Sequence, residues 1–173
     1  DGETRTEALT FNAGVAGARA LDVAVTPLDG EENVRNNSVG RLVNVEAFRP
    51  RILYIEGEPR WELKFVRRAV EEDRSLQLTS ILRTTQNKIY VQGVEKQKEL
   101  ESGFPTSAED LFGFQALIVG NVEAGYFTPA QQELIRQFAD RRGGGVLFLG
   151  GRSALADGGY AQSSLADLLP VTL

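Results

Sequence analysis

The sequence predicts an α/β fold from residue 49 onward, a flavodoxin-like parallel sheet in three layers, preceded by a short β segment over residues 1–47. Three observations predict it. Compact apolar runs alternate with amphipathic stretches of helical period from Arg51 to Leu149. Glycine, proline and capping residues mark the joints between them. The first 47 residues instead carry short, partly alternating apolar stretches separated by turn clusters.

The segment 1–47 supplies three such stretches, Ala8–Phe11, Ala20–Val25 and Val39–Val45, with turns expected at Asn12–Gly17 and Asp29–Asn37. Three strands are too few for a β-sandwich, which takes about seven. They are expected to be the last strands of a truncated sandwich. Their unpaired edges are expected to meet a second copy, in a homodimer, or the next domain.

Arg51–Ile55 is a compact apolar run ending in Glu56-Gly57-Glu58-Pro59-Arg60. Trp61, Phe65, Val66, Ala69 and Val70 then follow at helical spacing, which predicts a strand, a tight loop and an amphipathic helix. Leu76–Leu82 is a second strand. The stretch from Arg83 to Phe104 lacks strong periodicity and reads as a long loop, with Ile89–Val91 a short extra strand inside it.

Thr106-Ser107-Ala108-Glu109 has capping-box form for a short helix through Phe112, and Ala116–Gly120 is a third strand. Thr128-Pro129-Ala130-Gln131 is a stronger helix start, with an N-cap hydroxyl, Pro at the first helical position and Gln at the third. That helix turns Leu134, Ile135, Phe138 and Ala139 inward. Arg141 and Arg142 suit its negative end, and Gly143-Gly144-Gly145 can terminate it. Val146–Leu149 is a fourth strand, followed by a Gly- and Ser-rich stretch to Pro170. Uniformly apolar strands imply a parallel sheet covered on both faces, with the domain's own strands in the order 2-1-3-4.

Composition narrows the chemistry. The 173 residues include no Cys, His or Met, which removes thiolate nucleophiles, imidazole bases, disulfides and sites with N or S metal ligands. Lys plus Arg is 19 and Asp plus Glu is 24, a net charge of −5, with the basic residues scattered among acids. Nucleic acid is not an expected partner, because a polyanion footprint needs clustered positive charge. No apolar run reaches the length of a membrane span and no charged-then-apolar leader is present, so no direct membrane insertion is expected of this chain. Because it starts at Asp1 and lacks Met, the sequence is expected to be an excised segment.

Ligands of open parallel sheets bind beyond the carboxyl ends of the strands. That edge collects Glu56, Glu58, Arg60 and Trp61 after the first strand, Asn121 and Glu123 after the third, and Gly150, Gly151, Arg152 and Ser153 after the fourth. Glu56, Glu58 and Glu123 could hold a hard cation such as Mg²⁺ or act as acid and base. They could equally pair with Arg60 and Arg152 and order the loops. Ser153 stands where a nucleophile elbow would place it, but no imidazole exists to take its proton. The paired glycines could turn backbone N–H groups toward an anion with Arg152 as clamp, or merely permit a bend. Trp61 reads as core or domain-interface packing in preference to a stacking platform.

From Arg49 onward, the stretches RILYIEGEPRWELKFVRRAVEED, LQLTSILRTTQNKIY, FPTSAEDLFGFQALIVGNVEAGYFTPAQQELIRQF and RRGGGVLFLGGRSALADGGYAQSSLADLLPV resemble the glutamine amidotransferase-like domains of large bacterial membrane-anchored proteins. The resemblance implies the class I amidotransferase fold, in which a nucleophilic cysteine stands on the elbow after a strand. Here that elbow is the neighbourhood of Gly150, Gly151 and Arg152, and it holds no cysteine. The implied protein is a pseudoenzyme: no catalytic residues, no cofactor, and no metal. Residues 1–47, with Gly30-Glu31-Glu32-Asn33 and Asn36-Asn37, similarly resemble the end of a bacterial adhesion-type immunoglobulin-like domain. The resemblance further implies an extracytoplasmic, periplasmic location and partners among the other domains of the parent or other envelope proteins.

Three functions follow as expectations. The first is a non-catalytic interaction or scaffold module of a larger envelope protein. The second is a small-molecule or metal-binding regulatory domain using the carboxyl-edge loops. The third is a hydrolase built on two carboxylates.

Overall fold

The structure is a computed structural model that describes residues 4–45, 49–73, 75–85, 88–94 and 100–173. The chain divides into two compact units, Asp1–Phe48 and Arg49–Leu173.

In the first unit, β1 (Gly17–Ala24) and β2 (Ser38–Val45) form an antiparallel two-stranded sheet in which Leu21 faces Arg41 and Val23 faces Val39. The expected strand at Ala8–Phe11 does not form: these residues pair with no strand. Asn12 instead starts a tight turn, its side-chain oxygen accepting from the Gly14 N–H at 2.8 Å. Residues 11–15 then line a groove beside Leu21, Val43 and Val45. The β1–β2 connection is held by Glu31, which accepts from Leu28 N–H and from the Asn37 carboxamide. Val23, Val25, Val39 and Leu42 are exposed.

The second unit is α/β. Its five strands are β3 (Arg51–Glu56), β4 (Gln77–Thr85), β5 (Lys88–Gln92), β6 (Ala116–Val119) and β7 (Gly145–Phe148), in the order β5-β4-β3-β6-β7. β4, β3, β6 and β7 run parallel, and β5 returns antiparallel along β4. The parallel strands thus take the expected order. The stretch read as a long loop begins differently: β4 continues to Thr85, and β5, which contains the anticipated Ile89–Val91, pairs antiparallel with it.

Strand alternation sends Leu53, Ile55, Ile81, Leu117 and Val119 to one face. There they pack with Leu111 of α2 (Ala108–Phe112) and with Leu134, Ile135 and Phe138 of α3 (Pro129–Asp140). Tyr54 and Ile118 point to the other face and pack beneath Leu63 and Val66 of α1 (Trp61–Glu72). Helices therefore flank both faces of a mostly parallel sheet, an arrangement compatible with a three-layer α/β fold.

Three local expectations change. The α2 cap is Ser107, one residue later than Thr106, and it accepts from Asp110 N–H while its hydroxyl meets the Asp110 carboxylate at 2.6 Å. On α1 the buried residue is Leu63, whereas Trp61, Phe65 and Ala69 face solvent, because the inner stripe runs through Leu63, Val66 and Val70. On β7, Leu147 is exposed: this is an edge strand, and its α1-side face is covered less than that of β3. The capping box at Thr128 and Gln131 forms as read, with reciprocal bonds of 3.2 and 3.0 Å.

Candidate functional site

Parallel strands deliver their carboxyl ends to one edge, and Glu56 is the last residue of β3. It shares the α1 face with Tyr54, two residues earlier, and is 0% exposed. A buried carboxylate is stable only when its lone pairs are met. Here one oxygen accepts from the Tyr54 hydroxyl at 2.9 Å and the Arg60 guanidinium at 2.9 Å, and the other from Gly57 N–H at 3.0 Å and Asn121 N–H at 2.8 Å. A side chain at Gly120 would collide with this carboxylate, its Cβ lying 2.5 Å from Oε2.

The same bonds join the loops. Arg60 reaches from Glu56 to the Gly150 carbonyl at 3.0 Å, tying the loop after β3 to the loop after β7. Burial opposes its charge, but the hydrogen bond and negative charge of Glu56 outweigh that and hold the guanidinium above its ordinary value. Asn121 donates to Glu58 at 2.6 Å and accepts from Ser153 N–H at 2.7 Å. Gly151 is required there, since a Cβ would lie 2.3 Å from the Asn121 side-chain oxygen.

Glu123 is engaged by a residue the sequence reading missed. Arg83, near the end of β4, grips it with two bonds of 2.6 and 2.7 Å, donates to Gly57 O at 3.2 Å and lies over the Tyr126 ring. The hydrogen bonds from Arg83 hold the Glu123 carboxyl below its ordinary range, against the opposing effect of burial. Arg83 falls at the carboxyl end of a parallel strand, and that rule alone could have found it. Tyr54 was missed because only the register of β3 shows that its hydroxyl reaches Glu56. Burial, then the charge and hydrogen bond of Glu56, push the Tyr54 phenol strongly upward.

The sequence-predicted residues are thus brought to one edge, but not as three open carboxylates. Glu56 is turned inward, Glu58 meets Asn121 and Glu123 meets Arg83. Among the described residues, no three acidic side chains come together in a way that could hold a metal ion. The pairing expected for Arg152 does not occur: it makes no ion pair among the described residues and is exposed. Trp61 is 67% exposed, stacks on Phe65 with ring centroids 6.3 Å apart, and carries the Lys64 ammonium over its ring. It is not core packing.

Above this network lies an open depression of about 530 Å³ lined by Glu58, Arg83, Glu123, Arg152, Ser153 and Asp157. The Ser153 hydroxyl makes no hydrogen bond to an acid or base among the described residues. Comparison of the chain with models of known protein families, with curated proteins and with solved structures finds no match. No helix of the described residues is long and apolar enough to cross a membrane.

Proposed function

We propose that this chain carries a non-catalytic interaction or scaffold module of a larger envelope protein, built on a class I glutamine amidotransferase-like fold. The observation that supports it best is the state of the carboxyl edge. The groups that could act on a substrate there are bonded to one another: Glu56 to Tyr54, Arg60 and two backbone amides, and Glu123 to Arg83. The position corresponding to the nucleophile elbow is Gly150-Gly151-Arg152, where Gly150 gives its carbonyl to Arg60 and Gly151 abuts Asn121. The mostly parallel sheet with helices on both faces is compatible with a three-layer α/β fold of that kind.

In this reading contact is made by exposed apolar surface: the Trp61–Phe65 pair on one unit, and the β1–β2 sheet on the other. A two-stranded sheet gains stability by adding strands, and a second copy or a neighbouring immunoglobulin-like domain would supply them. The location that goes with this reading is the periplasm, as the resemblance implies. Glutaminase and esterase assays on the chain test the proposal, with no turnover expected. Turnover that disappears on Ser153→Ala or Glu56→Gln replacement contradicts it.

A second reading rests on Arg152, which has no ion-pair partner among the described residues and borders the depression with Arg83. A small anion held there would make this a regulatory ligand domain. Calorimetric titration with inorganic phosphate and nucleotides tests it; heats that vanish in Arg152→Ala support it, and flat heats remove it.

A further inference from the structure

On the α1 face of β4, Leu78 and Leu82 pack against the core and the residue between them is Ser80. Its register partners are Tyr54 of β3 and Gln92 of β5, so it stands in the middle of the sheet. Ser80 is only 3% exposed, yet its hydroxyl has no hydrogen-bond partner among the described residues. The hydroxyl itself is not sealed from solvent, and an aliphatic residue would continue the apolar row. The hydroxyl lines a cleft of about 250 Å³ between the second half of α1 and strands β4 and β5.

The cleft is remote in kind from the carboxyl-edge network. Its apolar wall is Val70, Leu76 and Leu78, and its polar wall is Arg49, Arg67 and Gln92. Arg67 is fixed from two sides: Glu71 meets its Nε at 3.3 Å, and the Gln92 side-chain oxygen accepts from Nη1. Gln92 is held in turn by Tyr90, donating to its hydroxyl at 3.2 Å. Arg49 donates from Nη2 to the Leu76 carbonyl at 3.0 Å. Both guanidinium groups keep further N–H donors. The two acids on the rim are already engaged, Glu71 by Arg67 and Asp73 by Ser75 N–H at 2.9 Å.

We infer that this cleft binds a short-chain carboxylate, its anionic end on Arg67 and the Ser80 hydroxyl and its alkyl chain along Val70, Leu76 and Leu78. Guanidinium groups match carboxylates in geometry and charge. A hydroxyl donor at the floor completes the anion's hydrogen bonds and ends its own lack of a partner. The volume falls just below the range of about 300–1,000 Å³ usual for drug-sized ligands, which suits a small molecule. This inference does not depend on the scaffold reading.

Calorimetric titration of the chain with sodium hexanoate and sodium butyrate tests it, with butylamine as the cationic comparison. Saturable heat is expected for the carboxylates, stronger for hexanoate, and none for butylamine. Arg67→Gln and Ser80→Val should each raise the Kd about tenfold, equivalent to about 1.4 kcal/mol, while Arg141→Gln, exposed and outside the cleft, leaves it unchanged. If Ser80→Val loses the native circular dichroism, Ser80→Ala takes its place with a several-fold weakening expected. Flat heats for both carboxylates, preference for butylamine, or unchanged affinity in the Arg67 and Ser80 variants overturns the inference.

Discussion

The side-chain oxygen of Asn121 accepts the backbone N–H of Ser153 at 2.7 Å, so this amide at the carboxyl edge is already bonded inside the protein. Asn121 is itself buried and holds Glu58 with its other end. One carboxamide therefore closes the loops after β3, β6 and β7 on one another. Asn121→Ala is expected to cost about 1 kcal/mol in urea unfolding, because it removes two part-buried hydrogen bonds and leaves the Ser153 N–H without its partner. A loss under about 0.5 kcal/mol, the range of an ordinary surface change, contradicts this role.

Gly151→Ala probes the same junction sterically. Its Cβ would lie 2.3 Å from the Asn121 oxygen, so either the turn or the carboxamide must move. A destabilisation of about 1–3 kcal/mol is expected, the usual cost of overpacking. Gly150→Ala, whose Cβ meets nothing within 4 Å, serves as the comparison and should cost less.

The Arg83–Glu123 pair makes stability depend on pH. Glu123 has its folded pKa lowered by the hydrogen bonds from Arg83, so its contribution is present above the ordinary carboxylate range and is lost as pH falls through the folded value. Its side chain is 40% exposed, so solvent screens the pair and the contribution is about 1 kcal/mol or less. Urea unfolding of the wild type and Arg83→Gln at neutral pH and in acid should show the gap between them narrowing as pH falls. A constant gap contradicts the pairing.

Tyr54 supplies the corresponding test at high pH. Its folded pKa is raised, first by burial and then by the charge and hydrogen bond of Glu56, so its contribution is intact below the ordinary tyrosine value and fades as pH rises through the folded one. Tyr54→Phe is expected to cost about 1–2 kcal/mol at neutral pH by removing a hydrogen bond to a charged group. In absorbance titration of the folded protein, it should remove a late-ionising phenol and leave the early phase unchanged.

Trp61→Ala should behave in the opposite way, changing stability by less than about 0.5 kcal/mol, because the ring is 67% exposed. Tryptophan emission, reporting the only Trp in the chain, should be that of a solvated indole. A blue-shifted emission contradicts the exposure.

Much of the α/β unit was legible because its signals are local. Arg51–Ile55, Ala116–Val119 and Val146–Phe148 are short apolar runs bounded by turn residues, and the box at Thr128 and Gln131 is a contact within four residues. Less was legible where the partner lies far along the chain. Arg83 looked like the start of a loop, and it becomes the clamp on Glu123 only because β4 and β6 flank β3. Trp61 and Phe65 fit a helical stripe, but Leu63 and Val66 define the buried one, a choice made by the sheet beneath. Ala8–Phe11 carries strand composition without a neighbour to pair with.

The claim that the carboxyl-edge acids serve the fold is tested most directly by a double-mutant cycle on Glu56 and Arg60, bonded at 2.9 Å with Glu56 fully buried. Glu56→Gln, Arg60→Met and the double variant would be compared by urea unfolding. Each single change is expected to cost about 3 kcal/mol, as for one partner of a buried pair, with a coupling energy of about 2 kcal/mol. Near-additive losses, with a coupling below about 0.5 kcal/mol, would contradict the structural role assigned to Glu56.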